Sequence, residues 1–271
     1  MTDESPLGRQ VDYPDRYAPE LLHAIPRNDS RKALRLDAGL PFTGVDILNA
    51  WELTWLDPLG APRCAVAEIR IPAASPRLIE SKSLKLYLNS FSMTAYAHAD
   101  EVGEAIGRDL SRAAGDEVRV SLRQYPGPGV PAPAELPGTL LDSPATRCTA
   151  TGVDASALTA DPGDVVSESL HSHVLRSLCP ITGQPDAGSV LVTYHGPRID
   201  RGGLLRYIVS YRQHKAFHEA CVERMFVDLL RRCAPVRLTV YARYLRRGGI
   251  DINPFRSNFE AEAPNLRLAR Q

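Results

Sequence analysis

Apolar positions recur along this chain in two periods, and the order of those periods occurs twice. Residues 51–56 and 64–71 read as strands in the first half, and 189–194 as their counterpart in the second. Two helices follow in each half. In the first, Val102, Ile106, Leu110 and Ala113 share one helical stripe, with Asp100 as N-cap and Gly115 just past the end. In the second, Val222, Met225, Phe226 and Leu229 form the equivalent face. A strand then closes each half. Val118, Val120 and Leu122 alternate with Arg119, Ser121 and Arg123, as Val236, Leu238 and Val240 do with Arg237 and Thr239. Such alternation predicts one buried and one open sheet face, hence an α+β fold of antiparallel sheets, each with two helices on one face.

The two halves also match residue by residue. Residues 79–91 (IESKSLKLYLNSF) lie over 199–211 (IDRGGLLRYIVSY) at an offset of 120. Glu80 meets Asp200, Tyr87 meets Tyr207, Ser90 meets Ser210 and Phe91 meets Tyr211. A fused duplication explains this, with modules at 1–155 and 156–271. The Pro/Gly-rich stretch 126–138 is read as a surface loop, and 139–141 as a further strand of the first copy.

Composition narrows the function. Of the 271 residues, 44% are hydrophobic and 24% charged, which is a globular profile. Lys plus Arg equals Asp plus Glu at 32 each, so the chain lacks the basic excess of a nucleic-acid grip, and a small-molecule partner is expected. The polar start MTDESPLGRQ lacks the apolar core of a signal peptide, and no run is long enough to span a membrane. Five scattered cysteines, Cys64, Cys148, Cys179, Cys221 and Cys233, with no CxxC pair, argue against a disulfide framework or structural zinc. A cytoplasmic location follows as an expectation.

Four segments carry candidate chemistry. LCPITGQPD (178–186) sets Cys179 seven residues before Asp186, a thiol nucleophile with an acid to protonate what it attacks. An isolated pair of this kind is more often a buried thiol and a turn residue. Phe217-His218-Glu219 opens a helix, where such a pair is usually just solvated. Glu80-Ser81-Lys82-Ser83-Leu84-Lys85 starts another, where Glu80 suits the positive end of the dipole. Arg246-Arg247-Gly248-Gly249 follows a strand, and arginine beside glycine suits a phosphate. No GxGxxG opens a helix, since the one GxG (127–129) sits among prolines, so pattern alone gives no dinucleotide site.

Together ESKSLKLYLNSF, CPITGQPD, FHEACVER and YARYLRRGGIDINPFRSN closely resemble the NADPH-dependent 7-cyano-7-deazaguanine reductases of queuosine biosynthesis, in their long two-module form. The resemblance runs from about Tyr13 to Gln271, and ESKSLK is its most specific motif. It implies tandem tunnelling-fold modules, a nitrile reductase that consumes two NADPH, no metal, and a homo-oligomer, a homodimer being favoured. It further implies a covalent thioimidate on Cys179, protonation by Asp186, and substrate contacts from Glu80, Ser81, Lys82, His218 and Glu219. Cofactor contacts would come from Lys82, Ser83, Arg247 and Gly248. A metal-dependent cyclohydrolase of the same fold and a tRNA-binding or protein-binding module are the rival readings. At the 120 offset Cys179 falls on Leu59 and Asp186 on Val66, so one chain is expected to hold one complete set of reactive residues.

Overall fold

The computed structural model describes residues 13–36, 39–125, 127, 132–142 and 145–271. The polar start and residues 126 and 128–131 of the Pro/Gly-rich stretch lie outside the described residues. In chain order the first half runs β1 (Ala24–Pro26), α1 (Asn28–Ala33), β2 (Thr43–Leu56), β3 (Pro62–Pro72), β4 (Arg77–Ile79), α2 (Ser81–Asn89), α3 (Ala99–Ala114) and β5 (Arg119–Tyr125). It continues with β6 (Pro133–Ala134), β7 (Thr139–Leu140), β8 (Ala160–Leu178), β9 (Pro185–Ile199), α4 (Arg201–Ser210) and α5 (His218–Cys233). Strands β10 (Arg237–Tyr244), β11 (Ile250–Ser257) and β12 (Arg267–Leu268) complete it. The class is α+β. Among the described residues, no helix is long and apolar enough to cross a membrane.

Two compact units form, and neither is a continuous stretch of chain. The first takes residues up to Asp29, then 46–132 and 246–251; the second takes 30–45, 133–245 and 252–271. Residues 139–140 therefore pack with the second unit, because β7 pairs in parallel with β8 (Thr139 opposite Leu170), whereas the sequence repeat suggested the first copy.

In the first unit the strand order is β5-β3-β2, with β3 and β5 antiparallel from Cys64 opposite Tyr125 to Arg70 opposite Arg119. Helix α3 buries Val102, Ala105, Ile106, Leu110 and Ala114. It starts earlier than the expected cap at Asp100. His98 is the N-cap, and Glu101 Oε2 accepts the Ala97 N–H at 3.0 Å. Gly115, at φ 80°, ends it as expected.

In the second unit the order is β11-β10-β9-β8-β7, antiparallel except at β7. The 19-residue β8 had no apolar alternation to announce it, since its first half is largely exposed. Val190, Val192, Tyr194, Leu238, Val240 and Tyr244 join the apolar core that α4 and α5 complete with Leu204, Ile208, Val222 and Phe226. The other face of β10 is covered too, contrary to the alternation. Tyr241 donates to the Pro264 carbonyl at 2.8 Å and Arg243 to Asn265 at 2.9 Å, so the chain after β11 lies over these polar positions. Val236, expected inside, precedes the strand and is 73% exposed.

The duplication persists at atomic detail. Glu80 caps α2 and Asp200 caps α4. Tyr87 donates to Asp109 at 2.8 Å and Tyr207 to Asp228 at 2.7 Å, while Ser90 and Ser210 donate to the carbonyls of Tyr87 and Tyr207 at 2.6 Å each.

A buried carboxylate ties α5 into its unit. Glu223 accepts from Arg31 Nε at 3.0 Å and Nη2 at 2.8 Å, and from Arg256 Nε at 3.2 Å and Nη2 at 2.9 Å. Arg256 is wholly enclosed. Removing this carboxylate strands two guanidinium groups, so Glu223→Ala is expected to cost about 3–5 kcal/mol in urea unfolding. A loss below about 1 kcal/mol would show that the network does not hold the helix.

Candidate active site

In the second unit a hairpin brings the sulfur and the acid to one face. Ser177 pairs with Asp186 and Leu178 with Pro185 across β8 and β9, and the Cys179 N–H donates to Gln184 O at 2.9 Å. Side chains alternate along a strand, so Cys179 shares a face with Ser177, and Asp186 with Gln184. Cys179 and Asp186 are thus diagonal neighbours, roughly 7–8 Å apart at their Cα atoms. The turn between them closes through the Gly183 N–H donating to Cys179 O at 3.0 Å, with Gly183 at φ 69°. Cys179 is 5% and Asp186 8% exposed, so both lie where most water is excluded.

Helix α5 delivers the next two residues. The Leu178 N–H donates to His214 O at 2.8 Å and the Ala216 N–H to Leu178 O at 3.1 Å, which sets the start of α5 beside the end of β8. His218 Nε2 then lies 3.3 Å from Asp186 Oδ2, and Glu219 is buried in the first turn. Three of the other cysteines are poorer nucleophiles. Burial pushes the Cys221 thiol up to about 12 and Cys233 to about 11, and burial also raises Cys64.

The ESKSLK segment lies in the first unit, where Glu80 is fully buried as the N-cap of α2. Its oxygens accept the N–H groups of Lys82 at 2.7 Å and Ser83 at 2.8 Å, leaving its remaining lone pairs as its capacity for a ligand. Ser83, expected to touch the cofactor, is enclosed. Its hydroxyl donates to Glu80 O at 2.8 Å and accepts the His23 N–H at 3.0 Å, so it pins the helix start. Ser81 and Lys82 stay partly exposed.

The Arg247-Gly248 turn belongs to the same unit. The Arg247 N–H donates to Ile250 O at 2.9 Å, and Gly248 and Gly249 take φ of 63° and 77°. A Cβ on Gly248 would come within 3.1 Å of the Lys85 stem, so glycine keeps that approach open. Lys85, Gly248 and Glu52 line a recess of about 180 Å³. Lysines at 82 and 85 share one helix face, and a cationic surface beside bare backbone fits a phosphate chain such as that of NADPH.

The first unit contains an altered copy of the hairpin. Leu56 bridges Ala95 as Leu178 bridges Lys215, and the Asp57 N–H donates to Ala61 O at 2.8 Å as Cys179 does to Gln184. Asp57 therefore stands at the position of Cys179 and Arg63 at that of Asp186, replacing Leu59 and Val66 of the fixed 120 offset. The hairpin loop is one residue longer in the second unit, which shifts the register. Asp57 and Arg63 form an ion pair at 2.7 Å. With Trp55, Tyr96, His98 and Gln124 they line a recess of about 460 Å³. The Ala61 N–H, and then Arg63, hold the Asp57 carboxyl below its usual range.

Sequence reasoning missed Tyr244, whose ring stacks on His218 with centroids 3.7 Å apart. No local pattern signals a contact between residues this distant in the chain.

Residues 13–122 match the family described as nitrile reductase, 7-cyano-7-deazaguanine-reductase N-term, and residues 185–263 match QueF-like protein. The chain is 51% identical over 272 residues to the NADPH-dependent 7-cyano-7-deazaguanine reductase of Chromobacterium violaceum, covering 99% of this chain and 97% of that one. It is 50% identical over 268 residues to the protein of that name from Bordetella pertussis, covering 98% of each. With the Paraburkholderia xenovorans protein of that name the identity is 49% over 271 residues, covering 99% of each. With its thiol–carboxyl hairpin and near-complete overlap with these relatives, the chain belongs to the 7-cyano-7-deazaguanine reductase family.

Proposed function

We propose that this chain reduces the nitrile of 7-cyano-7-deazaguanine to an aminomethyl group with two NADPH, on tandem tunnelling-fold modules, in queuosine synthesis for tRNA. That it is an NADPH-dependent oxidoreductase acting on a nitrile follows from its family. The observation that carries the finer reading is the placement of Cys179 and Asp186 on one hairpin face.

The Cys179 thiolate adds to the nitrile carbon, one π bond opens, and a thioimidate forms; after the first hydride its C–S bond breaks, which returns the thiolate and leaves an imine for the second. The nitrogen takes its proton from the Asp186 carboxyl as it becomes basic. His218, at 3.3 Å from Asp186, is placed to return a proton to it. Glu219 suits the N–H donors of the base edge, and half-buried Phe217 suits its flat face. Glu80, through its remaining lone pairs, Ser81 and Lys82 are the residues of the first unit assigned to substrate. NADPH, when bound, supplies hydride. Lys82, Arg247 and Gly248 are the residues for its phosphates.

Mixing the protein with the nitrile in the absence of NADPH should give a single adduct on the Cys179 peptide, saturating near one per chain, and none in Cys179→Ala. Adduct on Cys221, or saturation near two per chain, would sink the assignment. Asp186→Asn should keep nitrile binding while slowing turnover roughly 10²–10⁴-fold, and near-normal turnover would leave Asp186 a structural residue. Truncating Lys82 or Arg247 should weaken NADPH binding by about 1.5–3 kcal/mol and nitrile binding by less. Calorimetry that finds NADPH affinity unchanged in both variants would move the cofactor elsewhere.

A further inference from the structure

The imidazole of His218 lies flat on the ring of Tyr244, with planes 4° from parallel. Tyr244 is the last residue of β10, fully enclosed, and sits opposite Gly188 on β9, two residues beyond Asp186. A Cβ on Gly188 would approach Tyr244 Cδ1 to 3.2 Å and the Arg243 carbonyl to 2.8 Å, so the missing side chain lets the ring lie along the strand. From the other side Gln271, itself buried, holds the tyrosine main chain. Its Nε2 donates to Tyr244 O and to Asn253 Oδ1 at 2.8 Å each, and its Oε1 accepts from Arg243 Nε at 3.0 Å.

These contacts orient the imidazole. Nε2 faces Asp186 Oδ2, and Nδ1 is buried with no hydrogen-bond partner. The Tyr244 hydroxyl lies beside Ser177 and Cys221 and makes no hydrogen bond of ordinary geometry. The contact that fixes the imidazole plane is therefore the ring stack and not a bond from the hydroxyl.

We infer that Tyr244 is a positioning residue for the reduction: its ring fixes the plane of His218 on Asp186, and Gln271 holds that ring in place. This rests on the reading of Asp186 as the proton donor. A stacked imidazole cannot tilt away from the carboxyl, whereas an unstacked one is free about both side-chain torsions. Displacement by about 1 Å in such a constellation is enough to cost roughly 100-fold in rate.

The test is steady-state turnover of nitrile with saturating NADPH in Tyr244→Leu, Tyr244→Phe and Gln271→Ala, each also placed in a His218→Ala background. Tyr244→Leu should lower kcat by roughly 10–100-fold with KM within about threefold, because the lost interaction acts on the reacting state. Tyr244→Phe should recover most of that loss, and Gln271→Ala should shift kcat in the same direction by less. In the His218→Ala background Tyr244→Leu should cost less than about twofold more, since there is no imidazole left to orient. Equal losses in both backgrounds would make Tyr244 a packing residue and overturn the inference, as would a phenylalanine variant no better than leucine. Should Tyr244→Leu fail to fold, Gln271→Ala in the two backgrounds carries the same comparison. Full kcat in His218→Ala would overturn this inference alone, whereas a parent protein that leaves NADPH unoxidised would sink the proposed reaction with it.

Discussion

Glu223 is the group on which the reactive unit turns. It lies one helical turn beyond Glu219 on α5 and takes four charge-assisted hydrogen bonds from Arg31 and Arg256. Those arginines come from opposite ends of the chain, one from α1 and one from β11. Burying three charges is costly, and replacing such a triad with apolar residues often leaves a protein as stable. What the arrangement contributes is direction. It locks the azimuth of α5, and the azimuth decides whether His218 reaches Asp186 and whether Glu219 faces inward.

The proposed reactive pair depends on that lock and on the stiffness of its own hairpin. Cys179 and Asp186 stand at the ends of two long paired strands, so their relative placement follows from backbone register and not from a mobile loop. The duplicated hairpin shows what register alone does not give. In the first unit the same turn carries an Asp57–Arg63 ion pair, which has neither a soft nucleophile nor a proton to give at neutral pH. The cationic features lie instead at the start of α2, where Glu80 and Ser83 hold the helix start and Ser81 and Lys82 stay partly exposed.

The α+β class, the paired helices of each half and the repeat around Glu80/Asp200 and Tyr87/Tyr207 were legible from the residues alone. These features are local. Helical stripes, strand alternation and caps are set by neighbours a few residues apart, and short-range periodicity records them. The closeness of Cys179 and Asp186 was legible for the same reason, since both lie within one hairpin.

What only the tertiary structure decided is long-range. Strand β8 is polar along half its length and is a strand because β9 and β7 pair with it. The polar face of β10 is covered because the chain after β11 folds back over Tyr241 and Arg243. The exchange of residues 30–45 and 246–251 between the units leaves no composition signal. The stacking of Tyr244 on His218 and the bonds of Glu223 to Arg31 and Arg256 join residues separated by tens to hundreds of positions. Sequence determined which side chains were available and their local periodicity, whereas the choice of distant partners followed from burying them together, which no window of neighbouring residues encodes.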